Sequence, residues 1–323
     1  MSKPEIVAIA PLPAFFAKPL HENFTVHDLH GAADAEARRA LIAKIAPTTR
    51  GMVAFGGSQL APDQLAKFPH LEIISVFGVG YDGMPLAACA EAKVKVTNTP
   101  DVLNDEVADT AVALTLMTCR QFVGAHKFVE AGDWLKGQYP LTHSLWGKTV
   151  GIIGLGRIGK GIAERLAAHK MSVAYFGRNK QDVPYTYYGN LVEMAGDVDV
   201  LIAITPGGAA TKHLVNAAVL EALGPTGYFI NVARGSVVDQ DALVKAIEAG
   251  TIAGAGLDVF EAEPKVPEAL FNRRNVVLLP HVASATHETR QAMADLAVEN
   301  LALHFAGKPV KTLVPELAGK VSP

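Results

Sequence analysis

The first hundred residues alternate short apolar runs with stretches in which apolar residues recur every three or four positions. Short apolar runs are typical of buried strands, and the longer period is typical of helices. The pattern predicts strands at Ile6–Ala10, Met52–Ala54, Ile73–Val76 and Val94–Thr97, and helices at Ala32–Ile45 and Met84–Ala92. Alternation of this kind favours βα units on a parallel sheet.

A second series of the same kind follows a long, largely apolar helix predicted at Asp101–Arg120. It predicts six strands, with helical patterns between most of them and a last helix at Thr286–Phe305. The strands are expected at Thr149–Leu155, Ser172–Phe176, Val198–Ile204, Tyr228–Val232, Ile252–Leu257 and Val276–Leu279. Six parallel strands in about 130 residues are typical of a doubly wound nucleotide-binding sheet. The predicted fold class is therefore α/β, with two domains that each contain a parallel sheet.

Composition narrows the range of partners. The 323 residues, half of them hydrophobic, suffice for two buried cores. The net charge is only -3, whereas nucleic-acid binding calls for a basic domain or stripe, so we expect no nucleic-acid partner.

Glu5 precedes the first apolar run and Pro11 ends it, which favours a strand over a signal peptide. No apolar run approaches the roughly 18 residues of a membrane span, so we expect a cytoplasmic protein.

The chain has two cysteines, Cys89 and Cys119, without CxxC or Cys/His spacing. This pattern predicts buried, reduced thiols and no metal site.

One glycine-rich turn has the context of a dinucleotide site. Gly154-Leu155-Gly156-Arg157-Ile158-Gly159 follows an apolar strand and opens a helical run at Ile158–His169. In such a turn Gly154 permits the tight bend, Gly156 lets the backbone approach a pyrophosphate, and Gly159 lets helix and strand pack closely. The helix N-terminus supplies N–H groups and a partial positive charge to the phosphates.

The end of the next strand indicates which dinucleotide is bound. NAD-binding units place an acidic residue there for the ribose hydroxyls, but residues 171–181 contain none. The segment Phe176-Gly177-Arg178-Asn179-Lys180 is basic instead, and Arg178 lies nineteen residues after Gly159. A guanidinium binds a 2′-phosphate through a fork of donors, so we expect NADPH to be preferred, with NADH possible.

Three further segments fall at predicted carboxyl ends of strands, where this fold carries its chemistry. They are Asn231-Val232-Ala233-Arg234-Gly235, Gly256-Leu257-Asp258-Val259-Phe260-Glu261-Ala262-Glu263-Pro264 and Leu279-Pro280-His281-Val282-Ala283-Ser284-Ala285-Thr286. With Gly78-Val79-Gly80-Tyr81-Asp82, Asn98-Thr99-Pro100-Asp101-Val102-Leu103 and the glycine turn, they cover essentially the whole chain. In these motifs the chain resembles the D-isomer-specific 2-hydroxyacid dehydrogenases, most closely the glyoxylate/hydroxypyruvate reductase branch.

The resemblance implies a domain plan. A flavodoxin-like substrate domain would comprise residues 1–100 and 287–323, and a Rossmann domain residues 101–286. The active site would lie in the cleft between them. Family members pair as dimers through the region around residues 132–146, which is rich in aromatic residues and has no clear period. We therefore expect a homodimer, with Trp134 and His143 near the partner's site; an ordinary capping loop is the alternative.

The resemblance also implies a catalytic set. Arg234 would hold the carboxylate and the keto oxygen of a small 2-keto acid, and would polarise the carbonyl. His281 would be the general acid that protonates this oxygen, with Glu263 paired to it so that the ring is oriented and favoured as imidazolium. The two groups would titrate as a coupled pair.

The remaining site residues are implied in the same way. Substrate would contact Val79, Gly80, Arg234, His281 and Ser284. The cofactor would contact the whole glycine turn (Gly154, Leu155, Gly156, Arg157, Ile158, Gly159), the basic segment (Gly177, Arg178, Asn179, Lys180), and Thr205, Pro206, Thr211, Val232, Ala233, Asp258, His281 and Ser284. Asp258 would bind the nicotinamide amide or adjust the local field. Phe55 and Tyr81 either favour an aromatic keto acid or close a small pocket.

Other enzymes of the same superfamily are alternatives, namely phenylpyruvate, phosphoglycerate, formate and phosphite dehydrogenases. Formate dehydrogenases carry Gln where this chain has Glu263, and we expect no regulatory domain, of the kind found on many phosphoglycerate dehydrogenases, after the last helix. A nucleotide-sensing scaffold, as in the corepressors that share the fold, is the alternative from another class. It could keep the same three residues, so the sequence leaves it open.

Overall fold

The computed structural model of the chain describes residues 3–321. They divide into two compact units. Unit 1 comprises residues 3–103 and 286–321, and unit 2 comprises residues 104–285. The domain boundaries expected from the sequence fall within three residues of these divisions.

The described residues form twelve strands and eleven α-helices. The strands are β1 (Glu5–Ala8), β2 (Thr25–Asp28), β3 (Thr49–Phe55), β4 (Ile73–Phe77), β5 (Lys95–Thr97), β6 (Thr149–Ile153), β7 (Ser172–Phe176), β8 (Thr186–Tyr188), β9 (Val200–Ala203), β10 (Tyr228–Asn231), β11 (Gly254–Leu257) and β12 (Val276–Leu278). The helices are α1 (Ala14–Asn23), α2 (Ala35–Ile45), α3 (Pro62–Leu65), α4 (Leu86–Glu91), α5 (Asn104–Cys119), α6 (Phe122–Glu130), α7 (Arg157–Ala168), α8 (Leu191–Asp197), α9 (Ala217–Leu223), α10 (Gln240–Ala249) and α11 (His287–Phe305).

Unit 1 contains a five-stranded parallel sheet in the order β2-β1-β3-β4-β5. This is the flavodoxin-like order, in which the chain reverses direction across the sheet after β2. The pattern of apolar runs predicted four of its strands but not β2. That strand lies at the edge, carries the mostly polar sequence Thr-Val-His-Asp, and buries none of its four residues.

Unit 2 contains a seven-stranded parallel sheet in the order β12-β11-β10-β9-β6-β7-β8. Counted from β6, the order is the doubly wound 3-2-1-4-5-6 with one further strand beyond it. The six predicted strands are present, and parallel sheets in both units confirm the predicted fold class. The edge strand β8 was not predicted, because its sequence Thr-Tyr-Tyr has no aliphatic residue and none of its three residues is buried.

Side chains cap several helices. The N-terminal N–H groups of α2, α8, α9, α10 and α11 are capped by Asp34, Asn190, Asn216, Asp239 and Thr286. Such caps satisfy donors that have no acceptor within the helix. Helix α7 differs, because the residue at its N-cap is Gly156, which has no side chain to offer. Its first turn is therefore available to an external acceptor.

Both cysteines are buried and free, as predicted. Burial raises the pKa of Cys89 to about 11 and that of Cys119 to about 12, so both are thiols at neutral pH. Among the described helices, none combines the length and the apolar run that a membrane span requires.

Candidate functional site

The polar residues predicted to carry the chemistry follow three neighbouring strands of unit 2 and lie at one edge of its sheet. β10, β11 and β12 pair in parallel, with Asn231 opposite Leu257 and Leu257 opposite Leu278. Their carboxyl ends therefore lie side by side, and Arg234, Asp258 and His281 follow within three residues of them. This is the edge at which ligands bind in doubly wound sheets.

Gly235 brings two of the loops at this edge into direct contact. A Cβ atom at this position would overlap the backbone carbonyl of Phe260. The loop after β10 can therefore lie against the loop after β11 only because residue 235 is glycine. No role for Gly235 could be predicted, because nothing in the neighbouring sequence reveals which distant backbone it faces.

The imidazole of His281 is paired with the carboxylate of Glu263. His281 Nδ1 lies 2.8 Å from Glu263 Oε2, and Glu263 Oε1 accepts the N–H of Phe260 at 3.0 Å. An ionised carboxylate can only accept, so Nδ1 carries the hydrogen and Nε2 remains as the atom that exchanges a proton. This is the orienting contact expected of a general acid.

The environment keeps Glu263 ionised. Burial opposes its charge, but it is outweighed by the hydrogen bonds from His281 and the Phe260 N–H and by the charges of His281 and Arg234. The pKa of Glu263 therefore lies below its ordinary value. The contribution of Arg234 to this pKa also places its guanidinium within electrostatic reach of the pair.

Asp258 shapes the turn that presents His281. Its side chain is 1% exposed, and its two oxygens accept the N–H groups of Val282 at 2.8 Å and Ala283 at 3.0 Å. Its carbonyl accepts the N–H of His281 at 2.9 Å. Held in this way, His281 adopts a φ of 55°, in the left-handed region that non-glycine residues rarely occupy.

Burial and these contacts have opposite effects on the pKa of the Asp258 carboxyl. Burial raises its pKa above the ordinary value, against the two backbone hydrogen bonds and the charge of His281. The observed contacts of Asp258 are thus with the backbone beside His281. An additional contact with a nicotinamide amide remains a prediction.

Arg234 is fixed through its backbone by a neighbouring side chain. The buried Asn231 donates to Arg234 O at 3.1 Å and accepts the N–H of Ala233 at 3.0 Å. The guanidinium donates from Nη1 to Ala233 O at 2.8 Å. Asn231, for which the sequence predicts no role, is therefore the residue that shapes this turn.

The glycine turn has the geometry that its three glycines predict. Gly154 has a φ of 101°, and a Cβ there would lie 3.0 Å from Thr205 Cγ2. A Cβ on Gly159 would overlap the carbonyl oxygen of Gly154, so helix and strand could not approach as they do. A Cβ on Gly156 would meet nothing within 4 Å. Gly156 thus faces open space, as a position facing a bound phosphate must.

The hydroxyl of Thr205 is a second feature that fits a bound dinucleotide. Within residues 3–321, the hydroxyl of Thr205 is one of three buried side-chain polar atoms without a hydrogen-bond partner. Such an atom is costly unless a ligand or water satisfies it. The hydroxyl of Thr211 is engaged, since it donates to Pro206 O at 2.7 Å and closes the loop after β9. Thr211 therefore shapes this loop, whereas the Thr205 hydroxyl is available to a ligand.

The basic segment after β7 is open to solvent. Arg178, Asn179 and Lys180 are all exposed, and no acidic side chain of the described residues pairs with either cation. Two exposed cationic side chains thus lie just after β7, the strand that follows the glycine turn. Gln181, for which the sequence predicts no role, links this segment to the glycine turn by donating to Leu155 O.

In unit 1 the segment around Val79 and Gly80 follows β4 directly. Asn98 donates to Val79 O at 2.9 Å, and Thr99 accepts the N–H of Gly78 at 3.0 Å. In the described part of the chain, the N–H groups of Val79 and Gly80 themselves have no acceptor. The resemblance implies substrate contacts at Val79 and Gly80, and binding of a substrate carboxylate by these N–H groups remains a prediction.

Phe55 and Tyr81 are already engaged within unit 1. The ring of Phe55 packs at 5.1 Å from that of Phe77. The hydroxyl of Tyr81 donates to Glu316 at 2.9 Å, and burial together with this carboxylate raises the pKa of Tyr81 to about 12. Both rings thus have structural contacts of their own.

Residues 112–283 match the model of a known family, described as the NAD binding domain of D-isomer specific 2-hydroxyacid dehydrogenases. A hydroxyphenylpyruvate reductase of Plectranthus scutellarioides is 44% identical over 96% of this chain and 98% of its own length. A glyoxylate/hydroxypyruvate reductase A of Arabidopsis thaliana is 41% identical over the same shares of the two chains.

A solved structure has a similar fold over nearly the whole chain. It is an NADPH-dependent glyoxylate/hydroxypyruvate reductase from Sinorhizobium meliloti in complex with NADP and malonate. The two chains are 46% identical, 98% of each is covered, and the TM-score is 0.90.

Substitutions at the second and third glycines of the turn, Gly156 and Gly159, should separate the effect on folding from the effect on binding. We expect Gly159→Ala to lower the melting temperature by several degrees, because its Cβ would overlap the Gly154 carbonyl. Gly156→Ala should melt within about 1 °C of wild type, because its Cβ meets open space, yet bind NADP⁺ at least about tenfold more weakly. Differential scanning fluorimetry and titration calorimetry measure the two effects. Equal loss of stability in both variants would contradict this assignment.

Proposed function

Because the chain belongs to the D-isomer specific 2-hydroxyacid dehydrogenase family, we propose that it reduces a small 2-keto acid to the (R)-2-hydroxy acid with NADPH. The chain is an NAD(P)-dependent 2-hydroxyacid dehydrogenase. The observation that carries the proposed reaction is the Glu263–His281 hydrogen bond at the carboxyl edge of the unit 2 sheet, with the Arg234 charge near enough to lower the pKa of Glu263. We assign dinucleotide binding to unit 2 and substrate binding to unit 1.

Each member of this set has a step that its chemistry suits. Arg234 binds the carboxylate and the keto oxygen, where its charge stabilises the negative charge that develops on that oxygen. His281 donates the Nε2 proton to the same oxygen, while Glu263 binds Nδ1 and orients the ring. In the reverse direction the same Nε2 accepts the alcohol proton. The free N–H groups of Val79 and Gly80 bind the substrate carboxylate.

The dinucleotide is bound by the glycine turn, the open first turn of α7, the Thr205 hydroxyl and the basic segment. When bound, a reduced nicotinamide supplies the hydride that the carbonyl carbon receives. The protein orients the two reactants and excludes other acceptors. We assign the remaining contacts to Val232, Ala233, Asp258 and Ser284.

Glyoxylate and hydroxypyruvate are the substrates we propose ahead of phenylpyruvate. Phe55 packs within a cluster of phenylalanine rings, and the Tyr81 hydroxyl is bound to Glu316. A ring that already has these partners is a poor platform for a second aromatic group. A small side chain on the keto acid demands no such platform.

Removal of the proton donor tests the catalytic assignment. We expect His281→Ala to lower kcat for hydroxypyruvate by about 10²- to 10⁴-fold, the usual contribution of a general acid. His287→Ala is the matched control: this second histidine starts α11, is exposed, and should leave kcat within about twofold. Both rates come from NADPH absorbance in the steady state. A near-normal kcat for His281→Ala would remove the histidine from the mechanism.

The preference for NADPH is proposed to depend on Arg178. Replacing its charged fork removes charge-assisted hydrogen bonds, which contribute about 1.5–3 kcal/mol. We therefore expect Arg178→Gln to lower kcat/KM for NADPH by about tenfold to a hundredfold and to change that for NADH by less than about threefold. Steady-state kinetics at fixed ionic strength measures both values. An equal kcat/KM for NADH and NADPH in the wild type would already refute this preference.

We also propose that the chain is a homodimer. Six large apolar side chains between residues 122 and 146 are exposed, including Trp134 at 67%, Leu135 at 95% and Leu141 at 100%. Such a concentration on one segment is unusual in a monomer and typical of an interface. Light scattering should give about twice the single-chain mass of 34.1 kDa, and the triple change of Trp134, Leu135 and Leu141 to Ser should shift it towards one chain. A single-chain mass for the wild type at micromolar concentration would contradict the proposal.

A further inference from the structure

The segment Gly177–Gln181, which we call the basic loop, is fastened at both ends by two tyrosines. Tyr175 on β7 and Tyr187 on β8 are paired across the strands, with ring centroids 5.3 Å apart. Tyr187 donates its hydroxyl to Gly177 O at 3.3 Å, at the start of the loop. The hydroxyl of the fully buried Tyr175 accepts the N–H of Gln181 at 2.7 Å, at its end.

The side chain of Gln181 then joins this loop to the glycine turn. Its Nε2 donates to Leu155 O at 2.8 Å, and Leu155 lies between Gly154 and Gly156. Leu155 is buried, so the acceptor belongs to a packed part of the turn. The two segments follow the paired strands β6 and β7, and the N–H of Gly154 donates to Phe176 O at 2.9 Å where the basic loop begins. Gln181 adds a side-chain link at the other end of the loop.

The exposed Arg178 lies between these anchor points. An arginine on a mobile loop would lose conformational freedom on binding a phosphate, whereas one on a fixed loop loses less. The glycine turn keeps its own shape through Gly154 and Gly159, which do not depend on Gln181. The link should therefore affect binding at the basic loop more than binding at the glycine turn.

We propose that Gln181 is a positioning residue for cofactor selection: it holds the basic loop at a fixed place relative to the glycine turn, so that Arg178 is preorganised for a 2′-phosphate. This inference rests on the proposed use of Arg178 and adds the residue through which Arg178 is placed. Tyr175 and Tyr187 serve the same purpose from the opposite side of the loop.

The test is equilibrium binding of NADP⁺ and NAD⁺, which differ only in the 2′-phosphate, to the full chain by titration calorimetry. The readout is the ratio of the Kd for NAD⁺ to the Kd for NADP⁺. Gln181→Leu removes the amide donor at similar size, and we expect it to lower this ratio by about three- to tenfold, the contribution of one net hydrogen bond. The Kd for NAD⁺ should stay within about twofold.

Matched variants separate positioning from general stability. Tyr175→Phe and Tyr187→Phe each remove one hydroxyl that holds the basic loop, and both should lower the ratio in the same direction. Tyr188→Phe is their control, because the Tyr188 hydroxyl donates to Asp197 and does not touch the loop. It should leave the ratio unchanged. If Gln181→Leu does not fold, Tyr175→Phe provides the same test.

Arg178→Gln measured beside these variants distinguishes the two ways of failing. If Arg178→Gln collapses the ratio but Gln181→Leu leaves it unchanged, the positioning inference is wrong and the proposed cofactor preference stands. If Gln181→Leu weakens NAD⁺ and NADP⁺ equally, Gln181 supports the turn as a whole and the inference is again wrong. If Arg178→Gln leaves the ratio unchanged, the cofactor preference fails, and the inference fails with it.

Discussion

Parallel pairing of β10, β11 and β12 is the constraint on which the site depends. Because the three strands run in the same direction, their carboxyl ends meet at one edge, and residues far apart in sequence follow them into the same region. Gly235 then lets the first two loops touch. The 2.8 Å hydrogen bond between His281 and Glu263 joins the loops after β12 and β11, so it depends on the register of these two strands.

The cost of this arrangement is concentrated at Asp258 and His281. A carboxyl that is 1% exposed is unfavourable unless it is hydrogen-bonded, and both of its oxygens accept backbone N–H groups. The same contacts hold His281 at a positive φ, which is strained for a residue with a Cβ. Strain of this kind persists where the surrounding structure fixes it. In this backbone conformation the imidazole Nδ1 of His281 contacts Glu263, and Nε2 is left for proton exchange.

Much of the fold could be predicted because its central strands are uniformly apolar and its glycine turn has a specific spacing. The edge strands β2 and β8 could not, since neither buries any of its residues and neither contains an apolar run. The resemblance that suggested Arg234, Glu263 and His281 is confirmed as family membership. Gly235, Asn231 and Gln181 were missed because their importance comes from distant backbone atoms that local sequence does not identify.

We propose that this site protonates a keto oxygen while a bound dinucleotide reduces the adjacent carbon. The most direct measurement is the product formed from hydroxypyruvate and NADPH by the purified chain, separated on a chiral column and compared with the NADPH consumed. The account predicts the (R)-2-hydroxy acid in a one-to-one ratio with oxidised cofactor. Cofactor binding with no 2-hydroxy acid formed from hydroxypyruvate, glyoxylate, pyruvate or phenylpyruvate would contradict it.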